Sequence, residues 1–121
     1  MTFNLRLASD KQLAVLHEQP DEVAAFLFGA DDEPTIAHDP AHDLHFGEEW
    51  SRLKELPAVR PLSEGGRAMT GAEARSFTAA EVAKLATALG PLKQPGEELQ
   101  QLKVFLGAAA AKRLGLIAYF S

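Results

Sequence analysis

The apolar run Leu116-Ile117-Ala118-Tyr119-Phe120 constrains the fold of this chain more than any other stretch. Successive side chains of a strand point to opposite faces, so a strand that is apolar at every position has both faces covered. Left unpaired at a sheet edge it would template aggregation, so it needs a neighbour. Phe3, Leu5 and Leu7 alternate with Asn4 and Arg6, the period-two pattern of a strand with one buried face. The expected core is a small sheet in which these first and last strands pair.

Between them the periodicity is mainly helical. Ser9-Asp10-Lys11-Gln12 has the form of a capping box and opens a helix with Leu13 and Leu16 inward. Pro20, Asp21 and Glu22 open a second helical run over Val23 to Phe28 that Gly29 can close. An acidic loop follows at 30–34. Leu44, Phe46, Trp50 and Leu53 approximate one helical face and predict a third helix from Asp43 to Glu55. Leu56 to Arg75, with two prolines and three glycines, is the longest irregular stretch, with room for a short strand near Arg67 to Met69.

The capping box Thr78-Ala79-Ala80-Glu81 introduces Val82, Leu85, Ala86 and Leu89 at helical spacing, and Gly90-Pro91 stops that helix. A final helix is predicted over 97–114, with Leu99, Leu102, Leu106 and Ala109 on one stripe and Gly115 as its terminator. The predicted class is α+β: about five helices, in the order β-α-α-α-α-α-β, packed around a small sheet that includes the N- and C-terminal strands. One domain is expected to span residues 1–121.

Composition narrows the function classes. The chain is 46% hydrophobic and 24% charged, as in ordinary folded domains. Seventeen acidic residues against twelve basic ones give a formal charge of −5, with no Lys/Arg cluster to neutralise phosphates. That argues against nucleic acid and favours a basic protein partner or a small ligand. Without cysteine there is no disulfide, thiolate nucleophile or cysteine-based metal site. No signal-peptide pattern and no apolar run long enough to span a bilayer is present, so no membrane partner and a cytoplasmic address are expected.

Polar chemistry concentrates in one place. Three of the four histidines, His38, His42 and His45, fall close together with Asp39, Asp43, Glu48 and Glu49. On a helix His42 and His45 share a face and can point at one metal or ligand, with Glu48 or Glu49 a turn later. Against a metal site, H-E-x-x-H is absent and Pro40 interrupts a continuous helix through His38. Structural histidines, a weak metal pair and a partner-contacting cluster all remain open. His45 and Glu49 can also supply a general acid/base pair if the fold brings them to a substrate.

Ser63 and Ser76 lie in no G-x-S-x-G elbow. Gly65-Gly66-Arg67 and Met69-Thr70-Gly71 match neither a P-loop nor a dinucleotide fingerprint and are read as turns. Trp50, Phe46 and Tyr119 are expected in the core. The alanine run 108–111 permits close helix packing, within the domain or across a homo-oligomer.

Taken in order, several short motifs resemble the YfbM-like family of small bacterial proteins, a domain family of unknown function. Ala41-His42-Asp43-Leu44-His45-Phe46 is similar to its W-H-x-L-H-F helix. Pro61-Leu62 with Gly65-Gly66 is similar to the loop after it, and Arg75-Ser76-Phe77-Thr78-Ala79-Ala80-Glu81-Val82 to its R-x-L-T-x-x-E-V helix start. Ala109-Ala110 through Leu116-Ile117-Ala118-Tyr119-Phe120-Ser121 is similar to its final helix and strand. Ala41 stands where the family has tryptophan, and the chain is shorter than typical members between its fourth and fifth predicted helices. The resemblance implies an α+β fold and singles out His42 and His45, but implies no activity.

Two functional expectations follow. The first is a non-catalytic protein-binding domain, of the immunity type that neutralises a bacterial toxin by direct binding, requiring no cofactor. The second is a small enzyme or ligand-binding protein with a pocket between His42/His45 and the Pro61–Arg75 loop. The residues that would contact a ligand or partner are His42, His45, Glu49, Arg67 and Arg75.

Overall fold

The computed structural model describes residues 2–28, 43–69, 73–92 and 96–120. Among these residues five strands form one antiparallel sheet: β1 (Phe3–Ala8), β2 (Asp43–Phe46), β3 (Arg67–Ala68), β4 (Ala74–Phe77) and β5 (Gly115–Phe120), in the order β2-β1-β5-β4-β3. β1 and β5 pair over their full length, from Phe3 opposite Phe120 to Ala8 opposite Gly115. The first and last strands are the middle of the sheet, as the two-faced apolar run of β5 demands.

Among the described residues six helices cover the sheet on both sides. α1 (Asp10–Glu18) and α2 (Asp21–Phe28) pack on one face through Leu13, Leu16, Val23 and Leu27, against Ile117 and Tyr119 of β5. α3 (Trp50–Leu53), α4 (Pro61–Glu64), α5 (Ala79–Leu89) and α6 (Glu97–Ala111) lie over the other, against Leu116 and Ala118. Alternate residues of β5 therefore belong to two cores.

Both expected capping boxes are formed: Ser9 and Gln12 close the start of α1, and Thr78 and Glu81 that of α5. Each satisfies amides that the first helical turn leaves without partners. The predicted stripe of α6, Leu99, Leu102, Leu106 and Ala109, is the face it buries.

Four expectations are corrected. β1 is buried at all six positions rather than on one face, because Asn4 and Arg6 lie under α1 and α2, where each finds polar partners. The helix predicted from Asp43 to Glu55 is instead a strand, a turn and one helical turn. Leu44 and Phe46 are two apart and face the same core when Asp43–Phe46 pairs with the open edge of β1, Phe46 opposite Phe3 and Leu44 opposite Leu5. Trp50 and Leu53 keep helical spacing in α3, where the Trp50 ring stacks on Phe3 at a centroid distance of 3.7 Å.

The stretch 56–75 is more regular than predicted. It contains α4, the expected short strand as β3, and the start of β4, whose pairing with β5 is a long-range contact with no local signal. Gly66 enters β3 at φ 73°, where an added Cβ would lie 2.5 Å from the Ser76 carbonyl oxygen. The chain order becomes β-α-α-β-α-α-β-β-α-α-β.

Gly115 is the first residue of β5 and does not terminate α6. The left-handed residue is Arg113, at φ 56°. Its amide donates to Ala110 O and the Leu114 amide to Ala109 O, the two bonds of a Schellman motif with arginine where glycine is usual. The predicted closure of α2 by Gly29 and the acidic loop at 30–34 lie outside the described residues.

Candidate functional site

The polar groups of the chain divide between the two faces of the sheet. On the α1/α2 face, paired cross-strand neighbours carry them: Asp43 opposite Arg6 and His45 opposite Asn4. The Arg6 guanidinium grips both oxygens of Asp43, Nε to Oδ1 and Nη2 to Oδ2, each at 2.7 Å, and its Nη1 donates to Leu27 O at 3.0 Å. Only 7% of the Arg6 side chain and 8% of the Asp43 side chain are exposed. Burial opposes the Arg6 charge, but the hydrogen bond and charge of Asp43 outweigh it and hold the guanidinium above its ordinary pKa.

Tyr119 sends its hydroxyl toward the same Leu27 carbonyl, and burial pushes its phenol up. His45, exposed on β2, reaches Asn4 Oδ1 through Nδ1. Among the described residues no buried side-chain nitrogen or oxygen lacks a partner. This row ties β2 and α2 to the central strands and leaves no orphaned group aimed at a ligand.

A further pair on this face escaped the sequence reading. His17, in the last turn of α1, lies with its Nε2 2.7 Å from Ser76 Oγ on β4. Burial first, and then the positive charge of Arg67, lower the His17 pKa, which keeps the imidazole neutral at physiological pH. Serine beside a neutral imidazole is the first half of a nucleophile–base pair. Ser76, however, is 5% exposed, which leaves no room beside Oγ for an acyl group, so the pair braces α1 against β4. The available signal was position: His17 follows Leu16 and stands one turn after Leu13, on the buried side of an amphipathic helix.

The described site residues, His45, Glu49, Arg67 and Arg75, do not converge. His45 is on β2 and Arg75 on β4, with β1 and β5 between them, a separation of about 14 Å at the usual strand spacing. They also face opposite ways: His45 shares the face of Asn4 and Tyr119, while Arg75 is opposite Ala118 in the other core. Arg67 is exposed on the far edge strand β3, and the half-buried Arg75 donates from Nη1 to Gly65 O at 3.2 Å. Glu49 precedes α3 and accepts from the Gly47 amide at 3.1 Å; its own amide and that of Gly47 lower its carboxyl pKa. His38 and His42 lie outside the described residues, among which no cluster of three or more metal ligands occurs.

A concave surface does lie between the segment after β2 and the Pro61–Arg75 stretch, on the α3/α4 face. One lobe, 290 Å³, is bordered by Leu62, Ser63, Ala68, Glu73, Arg75 and Ala118. The other, 710 Å³, is bordered by Glu48, Trp50, Ser51, Lys54 and Glu64. Both share Phe3, Ser63 and Phe120, so together they form one groove across the ends of β1 and β5. Phe3 is held between Trp50, stacked, and Phe120, edge-on at 5.1 Å. The half-buried Phe120 gives the groove an aromatic floor, and Glu48, Glu64 and Glu73 rim it with Lys54 and Arg75.

Such a floor and rim suit a lysine or arginine of a partner: the aliphatic stem lies along the ring, the charged head meets the ring face and a carboxylate. Comparison of the chain with protein-family models, with curated proteins and with solved structures finds no match. No helix among the described residues is long and apolar enough to cross a membrane.

Proposed function

We propose that the protein is a non-catalytic protein-binding domain whose groove over Phe3 and Phe120 receives a basic segment of its partner, and that it belongs to the immunity type, occluding a basic bacterial toxin in the cytoplasm. One observation carries this: the groove on the α3/α4 face joins an aromatic floor to the carboxylates Glu48, Glu64 and Glu73. The overall charge of −5 favours encounter with a basic protein at longer range. Membership of the YfbM-like family is part of the same proposal and adds no activity to it.

Co-expression with the products of neighbouring genes, followed by pull-down, tests the proposal. A stoichiometric complex with a basic protein, lost in Glu48→Lys/Glu64→Lys, is the expected result. An alternative function, a small enzyme or ligand-binding protein, has one observation in its favour: the groove lies along the Pro61–Arg75 stretch and has the size of a small-molecule site. Turnover of a small substrate without a stoichiometric protein partner would decide for that alternative.

A further inference from the structure

Helix α6 carries a second stripe besides the one it buries. Glu97, Gln101, Val104, Ala108 and Ala111 follow the four-three-four-three spacing of a coiled-coil seam and are all exposed. Val104 is 61% exposed, the one large hydrophobic side chain so exposed among the described residues. With Leu44 of β2, Phe105 and Ala108 it borders an apolar concavity of 640 Å³. Gly107 stands beside it in mid-helix, and an added Cβ there would meet no atom within 4 Å. A mid-helix glycine costs about 1 kcal/mol relative to alanine, and here nothing inside the fold requires one. Its open side admits the close approach of another helix.

We propose that this face joins two copies of the chain, α6 against α6, antiparallel about a twofold axis near Val104. The charges select that partner and that direction. Glu97 lies about 10.5 Å before Val104 along the helix and Lys112 about 12 Å after it, at 1.5 Å per residue. Antiparallel packing therefore sets the exposed Glu97 of each copy beside the exposed Lys112 of the other, twice over, whereas parallel packing sets like charge on like. The seam between the two pairs is Gln101, Val104 and Ala108, and the short side chains of Val104 and Ala108 let the helix axes come close. A twofold contact of this kind is self-complementary. The face shares no residue with the groove over Phe3 and Phe120, so the dimer leaves both grooves open.

Sedimentation velocity and light scattering on the whole chain across a concentration series test this. The expected result is a reversible dimer that Ala108→Arg and Val104→Asp each convert to monomer without changing the circular dichroism spectrum, since both positions are exposed. Lys112→Glu alone is expected to weaken self-association about tenfold, the scale set by two reversed exposed ion pairs, and Glu97→Lys added to it to restore the dimer. A wild-type chain that stays monomeric up to its solubility limit overturns the proposal. So does a dimer that survives both Ala108→Arg and Val104→Asp, or a Glu97→Lys/Lys112→Glu chain that associates no better than Lys112→Glu, each of which assigns the face to another occupant or another packing direction.

Discussion

Replacing Asp43 by alanine removes one half of the Arg6–Asp43 pair and leaves the other in place. Arg6 then keeps its bond to Leu27 O but loses two charge-assisted bonds of 2.7 Å, at a position where its side chain is 7% exposed. Hydrogen bonds to charged groups contribute about 1.5–3 kcal/mol each, and breaking a buried pair from one side costs about 3–5 kcal/mol. The expected loss for Asp43→Ala is therefore about 3–5 kcal/mol, read by urea unfolding monitored by circular dichroism with the slope of the transition unchanged. Removing both partners, Arg6→Met with Asp43→Leu, is expected to restore most of that loss, since an apolar replacement of a buried pair is often neutral. A loss below about 1 kcal/mol for Asp43→Ala, the scale of an exposed surface pair, would refute the claim that this row is a buried brace.

Three further outcomes follow from the geometry. Arg113→Gly relieves a left-handed arginine at the end of α6 and is expected to stabilise by about 0.5–1 kcal/mol, a rise of roughly 2–5 °C in Tm by calorimetry. Gly66→Ala places a Cβ against the Ser76 carbonyl and the Phe77 ring at positive φ and is expected to cost about 1–3 kcal/mol in the same assay. His17 is held below its ordinary pKa of 6.5, so the folded state binds its proton more weakly than the unfolded chain. Its contribution to stability is fully present above pH 6.5 and is lost as pH falls through the lowered value. Urea midpoints across that range are expected to fall less steeply with acid in His17→Gln than in the wild type; equal slopes would remove His17 from the account.

Local signals in the sequence were sufficient wherever the fold obeys local rules. The two capping boxes, the buried stripe of α6 and the two-faced strand β5 appear where their spacing places them, because each is decided by contacts within a few residues or by a pattern too strong to satisfy otherwise. The misplaced helix over Asp43 to Glu55 shows the limit. Leu44, Phe46, Trp50 and Leu53 fit a helical face about as well as they fit a strand followed by a helical turn, and the open edge of β1, some forty residues away, decides between them. β4 was invisible for the same reason: Ala74–Phe77 becomes a strand because β5 lies beside it.

The site followed the same division. The groove lies along the Pro61–Arg75 stretch, which the density of turn residues had marked, but its floor is Phe3 and Phe120 from the far ends of the chain. The clustered residues drew attention because they are close in sequence, yet His45 turns to the α1/α2 face while Glu48 rims the groove on the other. Alternation along β2 sends Leu44 and Phe46 to the α3/α4 core and His45 to the other face, and Glu48 lies in the turn that follows. His17 and Ser76, distant in sequence and in different elements, meet only in the folded chain.

Binding at the acid-rimmed groove is tested by comparing two co-purifications, wild type and Glu48→Lys/Glu64→Lys, each tagged and co-expressed with the products of neighbouring genes. A basic protein in stoichiometric amount is expected with the wild type and is expected to be absent from the variant, at equal folding of the two chains by circular dichroism. A partner held equally by both chains would show that the acid-rimmed groove over Phe3 and Phe120 is not where this protein binds.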